Sequence, residues 1–298
     1  MTMQCNGKTP LWAAGRTLLN ERGDDFNRRL VTVLRTFDPE AIHDLRVSSR
    51  RMREGLVLFT PCYPAGDMAR LVKGTRRVTR LLGDIRNSDE ALLFFTSLRD
   101  RLDDCCRRDL DLLVTAFQKE RKNELRKLEA GLRKIAAADL HDRYRQVINF
   151  PSLFAPAAGG LDLFAPLADF AKGALSSRLE DVLQLVPEAK EEGNIAAQHQ
   201  LRIAVKHFRY RLEILSLLLD SSYRKFYGTV KEYQEVLGRM HDLDVFAALS
   251  REAAWSQPAT VIILKAIATQ RGRLFAGFTA MLAKMPFEKI GTRMRSAL

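Results

Sequence analysis

The 298-residue chain has only four cysteines, Cys5, Cys62, Cys105 and Cys106, and no Cys-x-x-Cys spacing among them. An adjacent pair fits poorly into a disulfide framework, so reduced and mostly core-facing thiols are expected. No stretch approaches the ~18 apolar residues that a membrane span needs. The opening MTMQCNGKTPLWAAGRTLLN lacks a basic region followed by an unbroken apolar one, so no secretory signal is expected and a cytoplasmic location is the default. Convincing strand patterns are missing throughout, which points to an all-α fold. Acidic residues are in deficit: 36 Asp and Glu face 48 Lys and Arg, a net charge of +12 with pI near 9.8. Such a balance predicts polyanionic partners, whether nucleic acid, anionic lipid or a phosphate polymer, without choosing among them. The stretch to Phe150 holds 29 of the basic and 21 of the acidic residues, so the stronger field is expected there. With 46% hydrophobic residues, the chain can build a substantial core and is not disordered.

What is present is a stretch that comes twice. IHDLRVSSRRMREGLVLF, Ile42 to Phe59, is matched by QHQLRIAVKHFRYRLEIL, Gln198 to Leu215. On a helix, His43, Arg46, Arg50 and Arg53 fall at i, i+3, i+7 and i+10 and share one face, with Ile42, Leu45, Met52, Leu56 and Phe59 opposite. His199, Arg202, Lys206 and Arg209 take the same four places in the second copy, and Leu201, Val205, Phe208, Leu212 and Leu215 the apolar ones. Solvated helix faces usually mix charge signs at i, i+4. Neither stripe contains a carboxylate, and both hold the order His, Arg, basic, Arg while Arg51 becomes His207 and Gly55 becomes Arg211. That points to anion binding. A ten-residue stripe is ~15 Å long at ~1.5 Å per residue, which suits a linear polyanion better than a single phosphate. Arginine forks give bidentate contact with phosphate oxygens, lysine a point charge, and a protonated histidine two donors.

The doubled pattern H-x-x-R-[VI]-x-x-[RK]-x-x-R-x-x-L resembles the CHAD family, the conserved histidine α-helical domain. LLGDIRNSDE (Leu81 to Glu90) and VLGRMHDLDV (Val236 to Val245) resemble that family's Leu-Gly-x-x-x-Asp segment, with Asn87 standing where the second copy has Asp242. The likeness spans roughly Asp38 to Ala283. It implies a domain of two pseudo-symmetric helical bundles that binds inorganic polyphosphate without catalysis, and hence association with polyphosphate granules.

The two copies lie 156 residues apart at His43 and His199, and 155 at Gly83 and Gly238, as expected for an internal repeat of one helical unit. The expected division is a bundle over 1–150, a linker over 151–166 and a second bundle over 167–298, each antiparallel and four-helix-like. Asp38 and Pro39 suit the start of the first stripe helix and Asn194 that of the second. Gly23 is expected to kink or divide the opening helix, and Pro187 to break the chain. The linker, with Pro151, Pro156, Gly159, Gly160 and Pro166, is expected to rest on the bundle through Phe150, Phe154 and Phe164. Arg70, Lys73, Arg77 and Arg80 repeat the stripe spacing and suggest a second wall of the anion site, to which Arg51 is added. The run Arg121 to Glu129 alternates in sign and reads as a solvated face.

Other chemistry is weakly encoded. Neither His43 nor His199 has a metal-ligating residue at i+3 or i+4, so no metal or other cofactor is expected. Asp84 with Asp89, and Asp242 with Asp244, would be the Mg²⁺ ligands of a polyphosphate or triphosphate hydrolase, but they fit better as helix caps or arginine partners. Single-strand nucleic-acid binders interleave basic and exposed aromatic residues, and only Tyr210 lies near a stripe.

Overall fold

A computed structural model describes residues 5–102, 104–137, 140–151, 161–253 and 255–298, without the side chains of Asp104 and Cys105. The expectations for Cys105, Phe154, Pro156, Gly159 and Gly160 lie outside the described residues. Within them the chain is all-α, with ten α-helices and no strand beyond an isolated Pro10 to Pro166 bridge. Helices α1 (Leu11–Thr36), α2 (Pro39–Leu58), α3 (Ala65–Arg99) and α4 (Asp104–Ala137) pack in succession, and α5 (Leu140–Ile148) covers α1. After the linker, α6 (Leu167–Ala189), α7 (Ile195–Ile214), α8 (Tyr223–Glu252) and α9 (Gln257–Lys284) do the same, with α10 (Phe287–Ala297) against α6 and α8.

Local chemistry sets the boundaries of the two 20-residue stripe helices. Asp38 accepts a hydrogen bond from the Ala41 N–H at 2.9 Å with Pro39 in the first turn, and Asn194 accepts from the Ala197 N–H at 3.0 Å. The apolar arcs are buried as expected: Leu45, Leu56, Phe59, Leu201, Val205, Phe208, Leu212 and Leu215 are fully inaccessible. One large core runs through both halves, because α2 lies against α7. A second core forms where the far ends of α3 and α4 meet those of α8 and α9, around Phe95, Phe117, Phe246 and Ile263.

Several local expectations are corrected. Helices α3 and α8 run unbroken through Asn87 to Asp89 and through Asp242 to Asp244, so none of these residues caps a new helix. Their polar groups are used sideways instead: Asp89 pairs with Arg121 of α4, and Asp244 with Arg271 of α9. Pro187 sits inside α6 near its C-terminal end, and the helix runs on to Ala189 instead of breaking there. Phe150 and Phe164 are exposed rather than packed. The end of the linker is held by its backbone, since the Leu11 N–H donates to Ala165 O at 3.0 Å and the Leu167 N–H to Thr9 O at 2.9 Å. These bonds fix the starts of α1 and α6 beside each other. Cys62 and Cys106 are buried while Cys5 is half-buried. No described helix is long and apolar enough to cross a membrane.

Gly23 does not divide α1, which runs unbroken through it. It is buried, and a Cβ there would clash with Cε1 of Tyr144. The Tyr144 ring of α5 fills that gap, its hydroxyl donating to Leu19 O at 2.6 Å. Gly23→Ala must push this ring out of place and should lower stability by roughly 1–3 kcal/mol, the usual range for overpacking. Thermal melting checks it, with Gly83→Ala as control: nothing lies within 4 Å of a Cβ at Gly83, so that change should be neutral or slightly stabilising.

Candidate anion-binding site

The packing of α2 on α7 turns the two stripes toward one another. Arg46, Arg50 and Arg53 of α2 and Arg202 and Lys206 of α7 form a single electrostatic cluster. Burial holds the Lys206 ammonium down to about 8, helped by Arg50, Arg202 and Arg53. Burial likewise depresses the Arg46 guanidinium to about 10, with Arg50, Arg86 and Arg202 adding to the effect. Arg53 and Arg202 are lowered for the same first reason, burial, with Arg50 contributing to both. Arg46 Nε is buried and has no hydrogen-bond partner among the described residues. A buried donor left unpaired costs about 1–3 kcal/mol, so the site stores unfavourable terms that an anion would relieve.

Two acidic groups border the cluster. Asp242 of α8 faces Arg202, Arg86 and Arg46, yet its pKa is raised because burial outweighs them. Glu54 of α2 is buried beneath the cations. Burial alone would raise its pKa, but the His207 hydrogen bond and the charges of His207 and Arg211 hold it below the usual carboxylate range.

The remaining sequence candidates divide. His199 is half-buried at the head of the α7 stripe, and its Nδ1 lies 3.1 Å from Nδ1 of His241 on α8, one ring nitrogen donating to the other. Desolvation, then Arg202 and Lys206, lowers the His199 pKa, and desolvation with Arg202 holds His241 at about 4. His43 is exposed at the head of α2, where it lines a cavity with Arg46 and Arg86. Arg209 is occupied: its guanidinium donates to Glu213 at 2.5 Å, to Gln234 at 2.6 Å and to the Tyr227 hydroxyl at 2.9 Å. Arg51 is also occupied, pairing with Glu213 at 3.0 Å across the α2 to α7 contact.

The expected second wall uses a different face of α3. Arg70 pairs with Asp67 and joins Arg77 around another cavity beside α5, while Lys73 and Arg80 are exposed. None of the four appears among the charges acting on Arg46, Arg53, Arg202 or Lys206. Register explains this. Thr79 Oγ1 lies 3.3 Å from Ser49 Oγ on α2, so the side of α3 toward α2 carries Arg76 and Arg86, which act on Arg53 and Arg46 respectively. Those two and His241 are the residues that sequence reasoning missed. Arg86 and His241 each stand three residues after the glycine of LLGDIRN and VLGRMHD, a legible signal had each long helix been followed through that segment.

The CHAD domain family model matches residues 17–251. The chain belongs to the CHAD family. Among solved structures it is similar to the CHAD domain from the plant Ricinus communis, at 25% identity and TM-score 0.63, covering 99% of this chain and 95% of that one. It also shares the fold of PptA from Streptomyces chartreusis, at 20% identity and TM-score 0.68, covering 95% of this chain and 100% of that one. No curated protein matches. The two halves of this CHAD chain thus bring their stripes into one basic cluster.

Lys206 gives that cluster a pH dependence of definite sign. Its pKa near 8 in the free protein must rise when a polyanion binds, so binding takes up a proton above pH ~8 and affinity falls as pH rises from there. Titration calorimetry with polyphosphate in buffers of different ionisation enthalpy should show this uptake. Lys206→Arg, charged throughout, should remove it; a persistent uptake in that variant would assign the proton elsewhere.

Proposed function

We propose that the protein binds inorganic polyphosphate as a linear polyanion along the joined stripes and does not turn it over. The carrying observation is that cations of α2 and α7 lie close enough to depress one another while Arg46 Nε is left buried and unpaired. A chain of phosphates matches that distribution, each unit bringing charge and acceptor oxygens for the next guanidinium. Family membership supports the same ligand class. His43, Arg46, Arg50, Arg53, Arg202, Lys206, Arg76 and Arg86 are assigned to the polymer, with His199 and His241 at the margin.

The nucleic-acid alternative is disfavoured by one finding. Tyr210, the aromatic that the sequence sets beside a stripe, is 3% exposed and lies against the Arg209 guanidinium, 4.8 Å from ring centroid to Cζ. It offers no open face for a base to stack on. The hydrolase alternative would need the Asp84 and Asp89, or Asp242 and Asp244, carboxylates as metal ligands. Asp89 and Asp244 are already paired with arginines.

If the stripes act on one ligand, the second contact is intramolecular and gains roughly two to four orders of magnitude in avidity. Arg46→Ala/Arg50→Ala and Arg202→Ala/Lys206→Ala should therefore each remove most long-chain affinity, while tripolyphosphate affinity falls modestly. A cycle of the two double variants and their combination, measured with both ligands at one stated salt concentration, decides the matter. Additive long-chain losses with equal tripolyphosphate losses mean separate sites. Phosphate release that Asp242→Ala abolishes means an enzyme.

A further inference from the structure

Away from the cluster, the C-terminal end of α3 and the turn after it form, with the middle of α8 and of α9, an open cavity of about 740 Å³. Leu98, Leu102, Ile262, Ala266 and Leu274 form its apolar part, and Arg101, Arg239, Lys265 and Arg273 its cations, with Thr269 and Gln270 between. Among the described residues no carboxylate lines it. Among the described residues none of these four cations makes an ion pair, although Arg99 and Arg271, each two residues from one of them, both do. Four unpaired cations around one apolar floor are not the mixed surface that solubility alone produces.

The other half supplies a comparison within the same molecule. Arg239 follows Gly238, as Asp84 follows Gly83 in the corresponding segment. Asp84 lines a cavity of about 490 Å³ whose α4 side carries Phe117, Glu120 and Glu124, and on α9 Ala266, Thr269 and Arg273 have the same i, i+3, i+7 spacing. Asp84 and Glu124, beside Lys127, thus stand where the other half has Arg239 and Arg273. The acidic cavity adjoins Arg202, His241 and Asp242 and so borders the polymer cluster; the basic one shares none of its lining residues with that cluster.

We infer that the Arg101, Arg239, Lys265 and Arg273 cavity is a second, separate anion site, for a small organic phosphate that carries an apolar body. Its volume falls in the range of ligand pockets, ~300–1,000 Å³. The charge asks for more than one phosphate, and the floor asks for something a bare inorganic chain does not have. Nucleotides and acyl-coenzyme A esters share this chemistry, a phosphate-rich head joined to an apolar or heterocyclic group.

The test uses the full chain with Arg50→Ala/Lys206→Ala, which removes the polymer cluster as a competing anion site. ATP, palmitoyl-coenzyme A and tripolyphosphate are titrated at one salt concentration, with and without Arg239→Gln/Arg273→Gln. These are exposed side chains, and a circular dichroism melt checks that the fold is kept. ATP or palmitoyl-coenzyme A should bind, more tightly than tripolyphosphate, and lose at least tenfold in the Arg239→Gln/Arg273→Gln background; which of the two binds identifies the source. In the otherwise wild-type chain the same pair should change long-chain polyphosphate affinity by less than threefold. The inference is overturned if neither organic ligand binds, if the pair has no effect, or if tripolyphosphate binds equally well. A failure of polymer binding in the wild-type protein would instead count against the proposed function alone.

Discussion

The buried Glu54 carboxylate of α2 is gripped from α7 by His207, whose ring N–H donates at 2.8 Å, and by Arg211 at 3.2 Å. Arg211 also donates to Ala174 O of α6 at 3.1 Å. Beside it Arg51 of α2 reaches Glu213 of α7. These crossed pairs hold together two helices whose stripes repel each other. Magnitudes say which matters more: Arg51 is 47% exposed, so its pair is worth about 0.2–1 kcal/mol. Glu54 is 3% exposed, and stripping one partner from a buried pair typically costs about 3–5 kcal/mol. The cluster therefore depends on a buried carboxylate beneath it.

The same clasp explains how the two copies diverge. Arg51 and His207 occupy corresponding places, and each reaches to the opposite helix for its acid. Gly55 and Arg211 also correspond: Gly55 lets α1 approach, a Cβ there meeting Leu19 at 3.1 Å and Arg22 at 3.2 Å, whereas Arg211 completes the grip on Glu54. Arg53 and Arg209 share a stripe position, but only Arg209 has an acid four residues on, Glu213, where the first copy has Val57. Arg209 was consequently drawn into the clasp, and Arg53 was left to the cluster.

Much of this was legible before any coordinates. The stripe faces and their apolar arcs follow from the 3.6-residue period, and the caps at Asp38 and Asn194 follow from side chains that satisfy their own local backbone. What failed shares a physical cause. Asp89 and Asp244 have the composition of caps, but arginines on the neighbouring helices claim them, and such partners are invisible along one chain. The second wall failed because periodicity gives a face without giving its direction: Arg70, Lys73, Arg77 and Arg80 keep the spacing, but the contact through Thr79 and Ser49 turns Arg76 and Arg86 toward α2 instead. The i, i+4 capture of Arg209 by Glu213, by contrast, is readable from the spacing alone.

Burial also brings a lysine into the range where a site senses pH. From sequence, histidines heading each stripe look like the titrating groups, since imidazole alone ordinarily changes charge near neutrality. The cluster shifts both types of group downward through one mechanism, loss of water beside like charges. That moves His241 to about 4, out of the neutral range, and brings Lys206 into it at about 8. The His199 and His241 rings can share a single proton between facing nitrogens 3.1 Å apart without adding a charge that Arg202 would oppose. In such a cluster lysine is the adjustable cation and arginine the fixed one. A single lysine among arginines thus lets the empty site shed one charge above pH about 8 and regain it when an anion arrives.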